Sequence, residues 1–111
     1  MKTKLPLGCV VYTETNNGIK AELLYRKNDK TEHGKGLGLR LTELNKKRKF
    51  VGEYEITYTD AHGNKSPTLH LIISFESGHY QLVWSKDKKI TDIGIGIDCD
   101  NKLFASYTEV I

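Results

Sequence analysis

The side chains in this sequence that could do chemistry are four histidines, two cysteines, scattered carboxylates and a set of tyrosines around one tryptophan. His33, His62, His70 and His79 show neither H-x-H nor H-x-x-x-H spacing, so no single strand or helix would offer two of them to a zinc ion. Only folding could gather His33 and His62 at one end of the molecule. Cys9 and Cys99 have no histidine placed beside them to act as a base, so a thiolate nucleophile has no support. Asp98, Asp100 and Asn101 open like an oxygen-rich calcium loop, but the glycine and glutamate that such a loop needs further on are missing. A tight hairpin turn accounts for them more simply. The run HGKGLG at 33–38 resembles a nucleotide loop, yet phosphate loops join a strand to a helix N-terminus, and this run sits inside a strand. No catalytic set, metal site or cofactor is therefore expected.

The aromatic residues offer a different chemistry. Tyr12, Tyr25, Tyr54, Phe75, Tyr80 and Trp84 lie in alternating strand-like runs, where they would share the inner side of the sheet. Tyrosine and tryptophan combine a large apolar surface with a polar group that needs a partner when buried. That combination suits a pocket for a small, partly apolar molecule, and these six are the expected ligand-binding residues. The competing reading is that the same rings fill the interior.

Charge argues against other partners. Seventeen basic and fourteen acidic residues leave a net charge of +3, so both signs are abundant. The strongest basic run, Lys46 to Lys49, shares its end of the molecule with Glu76, Asp98 and Asp100, which cancels the continuous basic face that nucleic acid requires. No segment is long and apolar enough for a membrane-spanning helix, and MKTKLPLGCVVY has no apolar run of signal-peptide length. Neither nucleic acid nor membrane is an expected partner. The expected location is cytoplasmic as written, or secreted or periplasmic if a leader has been removed.

The elements that position the aromatics are strands. Tyr80, Leu82 and Trp84 alternate with Gln81, Val83 and Ser85, and Tyr54, Ile56 and Tyr58 alternate with Glu55 and Thr57, the period-2 pattern of half-buried strands. TNNG, NDKTEHG, ESGH, DKK and DCDN stand between the runs as turns. Only LTELNKKRKF could tempt a helix, and it is short and uncapped. The chain also aligns with itself. KAELLYRKN at 20–28 matches HYQLVWSKD at 79–87, and GLGL at 36–39 matches GIGI at 94–97. KFVGEYEITY at 49–58 matches KLFASYTEVI at 102–111. The reading is a single all-β domain over 1–111, built from two four-stranded repeats at about 8–58 and 68–111. Eight antiparallel strands close into an up-and-down barrel because closure removes both bare edges. An open two-sheet sandwich is the alternative.

Within that barrel the inward set is Val10 or Val11, Tyr12, Leu23, Tyr25, Leu37, Leu39, Tyr54, Ile56, Leu71, Ile73, Phe75, Tyr80, Leu82, Trp84, Ile95 and Ile97. Gly36, Gly38, Gly94 and Gly96 then lie on the opposite face, where they would let the strand coil at barrel corners or let something approach the backbone. Cys9 begins strand one and Cys99 ends strand seven, a strand length apart, so both are expected as free thiols. Val11, Ile72 and Val83 face outward beside apolar neighbours.

Gly52, Tyr54, Gly63, Tyr80, Trp84, Gly94, Gly96 and Leu103 form a pattern over about residues 50–107 that resembles poorly characterised bacterial β proteins similar to the avidin and lipocalin (calycin) barrels. The resemblance implies the barrel fold. The lipocalin glycine–x–tryptophan entry is absent, and no ligand or site residue carries over. The leading functional expectation is a non-enzymatic protein that binds a small molecule in the lumen. The alternative is a filled barrel that works through its outer surface, as a homo-oligomer or a protein-interaction module.

Overall fold

A computed structural model describes residues 7–110 and is all-β, with no helix among them. Residues 1–6, the first half of the stretch read for a leader, and Ile111, the last residue of the second repeat expected from the sequence, lie outside the described residues. The eight strands are β1 (Leu7–Glu14), β2 (Gly18–Lys27), β3 (Lys30–Arg40), β4 (Gly52–Asp60), β5 (Leu69–Glu76), β6 (His79–Lys86), β7 (Lys89–Cys99) and β8 (Lys102–Glu109). Each pairs antiparallel with the next, and β8 returns to β1 through Tyr107 opposite Gly8 and Leu103 opposite Tyr12. That seam is where a sandwich would show an open edge, so the barrel is closed.

Local chemistry explains the short connections. Asn28–Asp29, Ser77–Gly78, Asp87–Lys88 and Asp100–Asn101 all have positive φ at both residues, the left-handed pair of a type I′ hairpin. Its twist matches that of the flanking strands. The two longer connections lie at opposite ends of the barrel. Residues 61–68 fold back along β4, where Asp60 Oδ1 accepts from the backbone N–H of His62 and Asn64 at 2.9 Å each. These bonds, with the Asn64 N–H foremost, hold the Asp60 carboxyl below its ordinary range.

The interior differs from expectation at the glycine strands. Leu37, Leu39, Ile95 and Ile97, expected inside, are 71, 53, 62 and 63% exposed. They point outward, and the glycines between them face the lumen. The reason is volume. A Cβ on Gly36 would stand 2.7 Å from the Tyr58 ring, so the ring occupies the space that a side chain on β3 would need. On the rest of the wall the parity is as read. Val10, rather than Val11, is buried, together with Tyr12, Tyr54, Ile56, Leu71, Ile73, Tyr80, Leu82 and Trp84. Ile19, Ala21, Leu103 and Ala105 complete the middle of the core.

One end is shut. Residues 41–51 lie across it without regular structure and bury Phe50 completely. Phe50 meets Tyr80 edge to face at 6.4 Å, Tyr80 meets Phe75 at 5.0 Å, and the Tyr54 hydroxyl donates to the Phe50 carbonyl at 2.7 Å. Arg40 donates to the carbonyls of Lys49 and Val51. Arg48 stacks on Phe75 with its guanidinium 3.8 Å from the ring centre. Lys49 donates to Asn101 at 2.9 Å. Half of the basic run is therefore tied into this cap.

Candidate functional site

The opposite end, where β1 begins and β8 ends, holds a cavity of about 520 Å³ that opens to solvent. Strand alternation delivers its wall. Leu23 and Tyr25 come from β2, Tyr58 from β4, Leu69 from β5, Trp84 from β6 and Tyr107 from β8. Gly8 leaves room for a ring, since a Cβ there would sit only 2.2 Å from the Tyr107 ring, and a Cβ on Gly34 would press on the Leu23 side chain at 3.2 Å.

The floor is a hydrogen-bonded aromatic chain. Trp84 Nε1 donates to the Tyr58 hydroxyl at 2.8 Å, and that hydroxyl shares a 2.6 Å bond with the hydroxyl of Tyr12. The Trp84 ring packs against Tyr107 at 5.5 Å between centroids. Burial is the main cause that pushes the Tyr58 phenol up to about 12 and raises Tyr12 and Tyr107 well above the usual tyrosine value. At the rim, the Tyr25 hydroxyl donates to Glu32 Oε2 at 2.7 Å, and this bond leads in raising Tyr25 to about 12. All these phenols are neutral at physiological pH. The polar groups of Tyr12, Tyr58, Trp84 and Tyr25 are used within the wall, so the surface shown to the cavity is mainly apolar. Asp60, Asn64, Ser66, Asp92 and Arg26 add a polar rim.

The six aromatics singled out from sequence divide between the two ends. Tyr25 and Trp84 line the cavity, and Tyr12 lies one hydrogen bond beneath it. Tyr54, Phe75 and Tyr80 belong to the closed end with Phe50. Tyr58 and Tyr107 were missed as lining residues. Tyr58 shares strand parity with Tyr54 and Ile56, and that signal could have included it. Tyr107 is fixed only by its pairing opposite Gly8 across the closing seam.

The groups considered for other chemistry are dispersed. Among the described residues, no three His, Cys, Asp or Glu side chains converge as a metal site would need. His70 Nε2 pairs with Glu53 Oε1 at 2.9 Å on the outer wall. Cys9 and Cys99 are free and exposed. No helix among the described residues is long and apolar enough to cross a membrane.

No family model, curated protein or solved structure matches the chain.

Proposed function

We propose that this barrel is a non-enzymatic binding protein that takes a small, partly apolar molecule at its open end. The observation that carries the reading is the aromatic cup of about 520 Å³, within the 300–1,000 Å³ typical of small-molecule sites. Its floor is pre-formed, because the Tyr12–Tyr58–Trp84 chain is satisfied without a ligand. A rigid apolar floor lowers the ordering cost of binding, and the polar rim can orient one hydrophilic group of the guest.

Trp84 is the single tryptophan and lies in the cup, so its emission reports occupancy. Native mass spectrometry of protein purified gently from its own cells should show a reproducible added mass per chain. Titration with the released compound should then quench or shift Trp84, and Tyr25→Ala should weaken that response. An unadorned mass, with no Trp84 response to a panel of apolar and amphiphilic small molecules, would count against the reading.

A further inference from the structure

The aromatic cup gives room for a guest, and the charges at its mouth say which kind. Strand parity sorts them. Asp60 follows Ile56 and Tyr58 on the inner side of β4, Asp92 precedes Gly94 and Gly96 on β7, and Glu109 follows Ala105 and Tyr107 on β8. All three line the cavity. Asp92 stands opposite Trp84 on one neighbouring strand and opposite Glu109 on the other, which gathers two negative charges beside the tryptophan. Asp60 faces them from across the barrel. It is held ionised by the backbone N–H groups of His62 and Asn64 at 2.9 Å and by the Asn64 amide at 3.2 Å. The cations at the mouth are placed otherwise. Arg26 alternates with Tyr25 on β2 and so takes the outer face, where its Nε donates to Thr31 Oγ1 at 3.0 Å. Lys65 is exposed on the 61–68 connection. Of the charged residues lining the cavity, the three that parity turns inward are therefore all carboxylates, in a chain whose net charge is +3. Their field reaches the floor: burial leads in raising the Tyr58 and Tyr107 phenols, and the Asp92 charge adds to both.

The rings favour the same sign of charge. An aromatic face is electron-rich, and tryptophan attracts a cation most strongly. The closed end shows this chemistry completed by the chain itself, with Arg48 3.8 Å from the ring centre of Phe75 and Arg40 4.8 Å from that of Tyr54. At the open end the rings of Trp84 and Tyr107 line a cavity instead. Given the cup as a small-molecule site, on which this inference rests, we propose that its guest is an organic amine bound as the ammonium ion. The apolar body lies against Leu23 and Leu69, and the ammonium group sits among Asp92, Glu109 and the faces of Trp84 and Tyr107. A carboxylate guest would bring its charge against Asp92 and Glu109. A neutral alcohol would fill the same wall without either attraction, whereas an amine gains both a charge-assisted hydrogen bond and the ring faces.

The test is titration of Trp84 emission in the full chain with two matched sets of probes: phenethylamine, phenethyl alcohol and hydrocinnamate, and octylamine, octanol and octanoate. In at least one set the amine should bind about tenfold more tightly than its alcohol, the step that one hydrogen bond to a charged group gives. It should also bind more tightly than its carboxylate. Added sodium chloride should weaken the amine and leave the alcohol unchanged, because screening acts only on the charged guest. Asp92→Asn and Glu109→Gln should each remove most of the preference for the amine while alcohol binding stays at the wild-type value. Glu55→Gln, exposed on the outer side of β4, should change neither. If Asp92→Asn fails to fold, Glu109→Gln at the exposed end of β8 still decides. Alcohols that bind as tightly as amines, a carboxylate that binds best, or an amine preference that survives both substitutions would each overturn the proposal and leave the cup as a site for another class of molecule. A Trp84 that responds to none of the six probes would overturn it together with the reading on which it rests.

Discussion

Tyr58 is the residue on which the inner wall turns. Its hydroxyl accepts from Trp84 and shares a bond with Tyr12, and both partners are buried. Tyr58→Phe keeps the ring but leaves two enclosed polar groups without their partner, which costs about 1–3 kcal/mol by the usual penalty for an unsatisfied buried group. Urea denaturation should show that loss, and native-state Trp84 emission should shift with it. Gly36→Val tests the same contact from the other side. The added side chain would meet the Tyr58 ring and displace it, so stability and Trp84 emission should change together. A Gly36→Val protein with wild-type midpoint and emission would show that β3 has room the structure denies. Sequence made the aromatic alternation of β4 and β6 legible at this scale. It did not reveal that Tyr58 and Trp84 share a hydrogen bond, because strand register across the lumen sets that pairing.

At the scale of the element, the short and the long connections obey different rules. The hairpins between β2 and β3 and between β6 and β7 are two-residue turns whose backbone twist is set locally, and Asn, Asp and Gly signal them in sequence. Lys88 is an exception, holding φ near 66° with a side chain that gains nothing there. Lys88→Gly relieves left-handed strain of about 1–2 kcal/mol at a chain-entropy cost of about 0.5–1 kcal/mol, so a net gain of about 0.5–1 kcal/mol is expected in urea melts. The 41–51 connection behaves otherwise. It holds no regular structure, yet it places Phe50 over Tyr54 and Tyr80 as a stopper. Phe50→Ala should cost about 3–5 kcal/mol, the range for a large buried aromatic. It should also speed proteolysis within 41–51. Trp84 lies at the other end, so its native emission should remain unchanged. Nothing in LTELNKKRKF marks Phe50 as a plug, because the run has neither period 2 nor a helical repeat.

For the molecule as a whole, enclosed phenols make stability depend on alkaline pH. Tyr54 and Tyr58 are raised by burial to about 12, against an ordinary value of 10.0. A group whose folded value is raised contributes stability that is fully present below the unfolded value and lost as pH climbs through the folded one. The barrel should therefore lose stability between about pH 10 and 12, with no comparable tyrosine-linked change near neutrality. Chemical denaturation at stepped pH, with tyrosinate absorbance followed in parallel, measures both the loss and its source. A constant midpoint across that window would show that these phenols are open to water.

Period-2 alternation, turn residues at even spacing and the need to bury two strand edges were enough to specify eight antiparallel strands in a closed barrel, and to put Tyr12, Tyr54, Tyr80 and Trp84 on its inner side. Those features are local or nearly so, and a strand's parity follows from its own residues when one face is clearly larger and more apolar. Where glycine alternates with leucine or isoleucine, that argument points the wrong way, because it always assigns the branched side chain to the core. The tertiary structure decided otherwise at Leu37, Leu39, Ile95 and Ile97, since rings arriving from β4, β6 and β8 had already taken the lumen beside β3 and β7. That single reversal leaves glycine inside and the branched side chains outside, and the volume left between distant strands alone determines it.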